Sequence, residues 1–242
     1  SIGCNIFSRC YSLKELTLPF AATEREYAET DGISTDGFGQ VQDMFNADGW
    51  DFGSGLSDEY TIERIIITGG KTIPDYTFTG IYSIKEIILK GDTITEIGDY
   101  SFYGCENLTN IEISDSVTTM GEYAFFNTGF SELPSGKNLR NIGNYAFSEC
   151  KNLVNPTIPS TYTHIGNYAF SECKNLVNIT IPSSVTTIGE NVFMNCDGLT
   201  SIPRGENLHE IGDGQYCGCD GLVDVTIPDN ITEINPYTFA GC

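Results

Sequence analysis

Apolar residues recur along most of this chain with a fixed period of about 23 residues, a length typical of repeat proteins. Each copy has an anchor, an Ile or Met usually followed by Gly, and an aromatic residue five positions later. From Ile73 onward, successive anchors keep this period to within a single residue. The nine anchors are Ile2, Ile73, Ile97, Met120, Ile142, Ile165, Ile188, Ile211 and Ile234. Such regularity predicts a solenoid, in which stacked units share one continuous core.

The fullest copy, from Ile165 to Ser184, predicts the content of one unit. Ile179 and Ile181 alternate with polar residues, which is typical of a half-buried strand. Pro182 cannot donate a ladder hydrogen bond and marks the end of that strand. The segment Tyr168–Phe170 is too short for an α-helix and predicts a 3₁₀ or single-turn helix. We therefore expect a β-rich repeat solenoid of about nine such units with short strands, turns and 3₁₀ or single-turn helices.

Two copies depart from this strand pattern. Leu133-Pro134-Ser135-Gly136 and Ile202-Pro203-Arg204-Gly205 stand where other copies have an Ile-x-Ile-Pro sequence. Because the regular strand sequence is replaced, we expect weaker ladders at these rungs.

Residues at about 20–62 do not fit the repeat, so the sequence predicts one solenoid domain over 1–242 with an insertion. The insertion is rich in Asp, and Asn46-Ala47-Asp48-Gly49 has some likeness to a calcium loop. The register fails, because Met44 would be ligand position 1 and Gly55 position 12. We therefore expect no metal site there.

The unit resembles the BspA-like leucine-rich-repeat family of bacterial surface proteins, most clearly from Ile165-Gly166 to Ile188-Gly189. The resemblance implies a right-handed leucine-rich-repeat array, an extracellular or cell-surface location, adhesion to other proteins, and no shared catalytic site. Thr128 and Ile81 are departures, because the family usually has Cys at those positions.

Charge and composition narrow the function further. The net charge is −21, which disfavours nucleic acid and anionic membrane surfaces as partners. No run of residues is long and apolar enough for a membrane span. No Ser/His/Asp or Cys/His set, phosphate loop or metal-ligand spacing is present. We therefore expect no enzyme activity, no cofactor and no membrane insertion.

Seven of the nine cysteines occupy the same position, eight places after an anchor: Cys10, Cys105, Cys150, Cys173, Cys196, Cys219 and Cys242. Disulfides are one interpretation for an extracellular chain. Side chains one rung apart, about 4.8 Å, fit poorly to the Cβ distance of a disulfide. We therefore favour a buried ladder of reduced thiols. Cys217-Gly218-Cys219 lacks the further ligands of a metal site.

Six copies have Tyr three positions after the anchor: Tyr76, Tyr100, Tyr123, Tyr145, Tyr168 and Tyr237. A line of exposed Tyr would suit a sugar or protein partner. The alternative, which we favour, is that each ring covers the neighbouring turn.

Two alternate positions of each predicted strand point away from the core and predict a polar, partly acidic sheet face. They are Glu15, Thr17, Glu86, Asn110, Glu112, Asn155, Thr157, Asn178, Thr180, Ser201, Asp224 and Thr226. Such a face is the usual binding surface of a curved solenoid, although it could equally be a solvated surface without a ligand.

Two functions remain. The first is a surface-displayed adhesion module that presents this face to a host or matrix protein or a glycan. The second is a structural spacer that displays other domains. The chain begins and ends inside a repeat, so the sequence also predicts weak self-association through uncapped ends.

Overall fold

A computed structural model describes residues 12–19 and 62–242. The copy that begins at Ile2, with Cys10, and the insertion at 20–61 lie outside the described residues, so the predictions made for them are untested. Cys4, Cys10 and the calcium-like segment at 46–49 belong to this part of the chain.

The described chain is a solenoid of short parallel strands, which are of two kinds. Four strands form the long sheet: β1 (Glu15–Leu18), β2 (Arg64–Ile67), β4 (Glu86–Leu89) and β6 (Asn110–Glu112). Eight two-residue strands end on the anchors: β3 (Thr72–Ile73), β5 (Glu96–Ile97), β7 (Thr119–Met120), β8 (Asn141–Ile142), β9 (His164–Ile165), β10 (Thr187–Ile188), β11 (Glu210–Ile211) and β12 (Glu233–Ile234).

Every strand pair in the described chain is parallel and joins neighbouring units. The long sheet has the order β1-β2-β4-β6. Its register places Glu15 beside Arg64, Arg64 beside Glu86, and Glu86 beside Asn110. The anchor strands form three smaller sheets, β3-β5-β7, β8-β9-β10 and β11-β12. The repeat array predicted from the period is therefore confirmed.

The segment that follows each anchor is a turn, whereas the sequence predicts a 3₁₀ or single-turn helix. The residues three and seven positions after every described anchor have positive φ, for example Tyr100 at 55° and Gly104 at 70°. Two left-handed residues four positions apart prevent a helical turn from forming. The turns instead bind each other across units: the Tyr145 N–H donates to the Asn167 carbonyl at 2.9 Å.

The anchor glycine serves close packing between units. Gly166 is absent from the residues with positive φ. A Cβ at this position would lie 2.7 Å from the backbone nitrogen of Asn144 in the preceding unit. The tight contact between adjacent units therefore requires a residue without a side chain.

The aromatic residues form one continuous stack through the core. Phe78, Phe102, Phe125, Phe147, Phe170 and Phe193 are essentially inaccessible to solvent. Successive rings from Phe78 to Phe239 lie 5.2–6.0 Å apart and nearly parallel. Burial of such rings is the largest stabilising contribution that each unit makes.

The predicted ladder of buried free thiols is observed from Cys105 to Cys219, whereas Cys242, in the last unit, is free but exposed. Each Sγ donates to the carbonyl of an aromatic residue in the preceding unit, as Cys173 does to Phe147 at 3.2 Å. Burial raises the pKa of Cys105 to about 12 and that of Cys150 to about 11. Thr128 replaces one cysteine, and its Oγ1 donates to the Phe125 carbonyl at 2.8 Å.

The described residues contain no helix with the length and hydropathy that crossing a membrane would require.

Candidate functional site

The structure divides the predicted sheet face into three parts, because the ladder is interrupted at residues 133–136 (the first interruption) and at residues 202–205 (the second interruption). Glu15, Thr17, Glu86, Asn110 and Glu112 lie on the long sheet. The middle part of the face comes after the first interruption and contains Asn155, Thr157, Asn178 and Thr180. In this part, Thr157 and Thr180 form an isolated parallel bridge. Ser201, Asp224 and Thr226 lie at the second interruption. The weaker ladders predicted for the two altered copies are therefore observed.

On the long sheet, one row of side chains forms a connected polar chain. Arg64 contacts Glu15 at 3.3 Å through Nη1 and Glu86 at 2.8 Å through Nε. Asn110 Nδ2 donates to Glu86 Oε1 at 2.9 Å. Arg64 was missing from the predicted face, although its position before the alternating Ile65 and Ile67 places it in the same row. Its charge makes this part of the face less acidic than predicted.

The second row of the long sheet is not continuously polar. Its paired residues are Thr17, Ile66, Ile88 and Glu112. Ile88 is buried and Ile66 is half-buried. The prediction of a polar surface therefore fails at the centre of this row, where the strands Arg64–Ile67 and Glu86–Leu89 have consecutive apolar residues.

The middle part of the face is fully exposed and polar. Asn155, Thr157, Asn178 and Thr180 are exposed. Thr180 is held by its backbone, whose N–H donates to the Pro156 carbonyl at 3.1 Å and whose carbonyl accepts from Ile158 at 3.0 Å. The four side chains themselves have no hydrogen bond or ion pair to any described residue.

At the second interruption the face contains a trough with a volume of about 440 Å³. Asn178 and Thr180 line one side, Ser201 and Arg204 line the middle, and Asp224 and Thr226 line the other side. Arg204 is exposed and forms no ion pair with a described residue. Arg204 is not among the predicted face residues, because in an unbroken strand a side chain at this position would point toward the core.

Many polar side chains in the turns and loops form bonds within the structure. Asp75 Oδ1 accepts from the Asp99 N–H at 2.8 Å, and Asp99 Oδ1 accepts from the Glu122 N–H at 2.7 Å. Asn107 and Asn175 donate their side-chain amides to carbonyls of the preceding unit. By contrast, the seven candidates from Asn155 to Thr226 are exposed and none bonds through its side chain to a described residue.

Five of the six tyrosines form a second stack. Tyr76, Tyr100, Tyr123, Tyr145 and Tyr168 lie with ring centroids 4.4–4.7 Å apart. Tyr237 is 79% exposed. Desolvation within the stack raises the pKa of Tyr145 to about 12. Because each ring covers the next, the arrangement favours the structural interpretation of these residues.

The described residues show no group suited to metal binding. Residues 12–19 and 62–242 contain no cluster of three or more His, Cys, Asp or Glu side chains placed around one point. His164 Nδ1 lies 2.7 Å from the Thr163 hydroxyl, and His209 Nδ1 lies 3.3 Å from the Asn230 carbonyl. Both contacts tie the imidazoles to neighbouring residues at the solenoid surface.

The repeat is matched by the model of the BspA-type leucine-rich repeat region, in six copies, over residues 71–196 and 129–242. The chain belongs to the BspA-type leucine-rich repeat family. The family assignment agrees with the anchor and aromatic positions of each described unit and with the cysteine position of most of them. No curated protein is recognisably similar in sequence.

Solved structures with this fold come from several bacteria. A leucine-rich repeat protein from Bacteroides ovatus ATCC 8483 has 22% identity and a TM-score of 0.56, covering 75% of this chain and 62% of that one. The T. pallidum leucine-rich repeat protein has 22% identity and a TM-score of 0.50, covering 74% and 76%. A leucine-rich cell surface protein from Faecalibacterium prausnitzii A2-165 has 20% identity and a TM-score of 0.45, covering 94% and 79%. The chain thus spans less than two thirds of the B. ovatus protein.

Proposed function

We propose that this protein is a non-enzymatic binding module displayed at a cell surface, where its sheet face adheres to a protein or glycan. Membership of the BspA-type family supports an extracellular location, because the repeat resembles those of bacterial surface proteins implicated in adhesion. The negative charge of the chain disfavours nucleic acid and anionic membranes as partners.

One observation carries the proposal: the polar side chains of the middle and C-terminal sheet face are exposed and uncommitted. Turn and loop positions bear Asp and Asn residues that bond across units. The face from Asn155 to Thr226 repeats Asn, Thr, Ser and Asp without such bonds. Polar groups that are not needed to hold the solenoid together remain available to a ligand, and the rigid stack fixes their spacing.

The test is a screen against extracellular-matrix proteins and a glycan array, followed by substitution of the face. Asn155, Thr157, Asn178, Thr180, Asp224 and Thr226 would be changed together to Ala. We expect folding to persist, because the side chains are exposed, and affinity for the partner to fall by at least about tenfold.

A matched control changes six exposed residues of the anchor strands to Ala: Glu96, Thr119, Asn141, Thr187, Glu210 and Glu233. This variant should keep full affinity. Equal binding by both variants would overturn the assignment to the sheet face. A spacer, the alternative function, would tolerate both sets of substitutions and would lose function only when whole units are deleted.

A further inference from the structure

The second interruption is a place where one strand is withdrawn from the sheet. Residues 202–205 align with Ile179-Thr180-Ile181-Pro182 in the preceding copy. Pro203 is buried where Thr180 is exposed, and Arg204 is exposed where Ile181 is buried. Because Pro203 has no N–H, this segment cannot continue a regular ladder.

The withdrawal leaves strand backbone unpaired on both sides. The N–H and carbonyl of Thr180 both bond toward the unit before it. The corresponding groups of Ile179 and Ile181 therefore point toward the withdrawn segment. The N–H and carbonyl groups of Ile179 and Ile181 make no backbone–backbone hydrogen bond to any described residue. The same is true of residues 201–204 and of residues 223–227.

The spacing of parallel strands sets the width expected for the trough. Neighbouring strands lie about 4.8 Å apart, so walls two units apart leave about 9.6 Å for one extended chain. The β-branched residues Thr180 and Thr226 line the two walls of the trough and are exposed. Unpaired strand backbone beside exposed β-branched residues is the surface that an added strand recognises.

The first interruption has a similar sequence pattern, but a tyrosine fills the core beneath its proline. The buried Tyr162 donates its hydroxyl to the Pro134 carbonyl at 2.9 Å. Three positions before the anchor at the second interruption, the equivalent residue is Ile231. Beneath Pro203 lies a cavity of about 20 Å³, lined by Ile231 and Gln215. The amide of Gln215 is 1% exposed and has no partner for either polar atom.

Arg204 specifies the chemistry of an occupant. It is an exposed guanidinium in a chain with 12 basic and 33 acidic residues, and no described carboxylate pairs with it. A guanidinium presents two parallel donors that match a carboxylate. The middle of the trough therefore suits a segment with an Asp or Glu side chain.

We propose that the trough takes up an extended peptide segment of a partner protein, which pairs edge to edge with the unpaired strand backbone and places an acidic side chain over Arg204. This inference rests on the proposed binding function and specifies the partner chemistry at the C-terminal part of the same face.

The first test restores the missing strand. Pro203→Thr, Arg204→Ile and Gly205→Pro together convert residues 202–205 to the Ile-Thr-Ile-Pro sequence of residues 179–182. The probe is a phage-displayed library of random ten-residue peptides selected on the unaltered chain. We expect the selected peptides to carry Asp or Glu and to lose binding to the restored variant. The same changes at Pro134, Ser135 and Gly136 are the control and should preserve binding.

The second test does not depend on refolding of the sheet. Arg204→Gln, at an exposed position, should weaken the selected peptides about tenfold, since it removes a charge-assisted hydrogen bond. Peptide binding should also slow hydrogen exchange at the amides of Ile179 and Ile181. Failure to select peptides, or selected peptides that leave these amides unprotected, would overturn the proposal. Binding of a glycan at the sheet face would overturn the peptide proposal and still support the proposed function. Binding of the selected peptides to the long sheet would have the same meaning.

Discussion

At the scale of single residues, the core aromatic positions determine how much each unit contributes to stability. Phe170 is completely buried and stacks on Phe147 at 5.8 Å and on Phe193 at 6.0 Å. Its replacement by a small residue removes contacts from three units at once. Units in a solenoid are coupled mainly to their neighbours, so the effect should be greatest in the adjacent copies.

We expect Phe170→Ala to lower the free energy of unfolding by about 3–5 kcal/mol. Denaturant unfolding measures the loss, and hydrogen exchange should show it concentrated in the copies that begin at Ile142 and Ile188. Tyr82→Ala is the control, because this ring is 41% exposed and should cost far less. A loss below about 1 kcal/mol for Phe170→Ala would contradict its core role.

The buried thiols make stability depend on alkaline pH. Burial holds the pKa of Cys105 and Cys150 at about 12 and 11, above the ordinary value of 9.0. Between these values the unfolded thiols lose protons first, which favours the unfolded state. Stability should be at its full value below about pH 9 and should fall from there to about pH 12.

Urea unfolding at pH 8, 9 and 10 measures this fall. Thr128 shows that a threonine fits the ladder position, so changing Cys105, Cys150, Cys173 and Cys196 to Thr should flatten the profile. Buried tyrosines such as Tyr216, whose pKa burial also raises, account for the slope that remains. An unchanged profile in the variant would show that the thiols are not responsible.

At the scale of the structural element, two factors determine which residue occupies the turn position three places after the anchor. They are the backbone conformation at that position and the stacking of its side chain on neighbouring units. The position three places after the anchor has positive φ in every described unit, and it is occupied by Tyr, Asn or Gly. Asn and Gly adopt this region at low cost. Tyr is less suited to it, and contact with the rings of the neighbouring units offsets the cost.

Two substitutions at Tyr145 separate these contributions. Tyr145→Asn keeps a residue that tolerates φ near 55° but removes the stacks on Tyr123 and Tyr168, at 4.4 and 4.5 Å. We expect this change to lower the free energy of unfolding by about 1–3 kcal/mol. Tyr145→Val should lower the free energy of unfolding by about 1–2 kcal/mol more than Tyr145→Asn does, because a residue with a branched Cβ is strained at positive φ. Denaturant midpoints that rank Val above Asn would refute the conformational requirement.

At the scale of the whole molecule, the dominant property is a net charge of −21. The described ion pairs, such as Lys137 with Asp115 at 3.3 Å, are largely exposed and contribute little. Some acidic residues are directly paired, since the register places Glu210 beside Glu233. Repulsion among carboxylates therefore outweighs the attraction gained from the few surface pairs.

We expect the urea midpoint to rise when NaCl is increased from 0.01 to 0.15 M, because the Debye length falls from about 30 to about 8 Å. Changing Glu96, Glu210 and Glu233 to Gln should raise the midpoint at low salt and reduce its dependence on salt. A midpoint that falls with added salt would show that attractive pairs dominate instead.

The sequence by itself determined the repeat, the core and the thiol ladder. The positions represented by Ile165, Phe170 and Cys173 recur at fixed offsets in successive copies. Whether a side chain within one unit points toward the core or toward solvent depends on the local sequence pattern. The same local pattern located most of the sheet face, from Asn155 to Thr226. The two altered copies were also visible, because proline has the same effect on a strand wherever it occurs.

Only the tertiary structure decided which residues meet across units. The pairing of Arg64 with Glu15 and Glu86 depends on a register that spans the insertion. The positive φ of the turn arises because successive turns bind and stack on each other. The difference between the two interruptions depends on Tyr162 and Ile231, each of which lies in the next unit along the chain. Each of these features is a contact between neighbouring units, and a pattern within one unit carries no information about the side chain that faces it from the next.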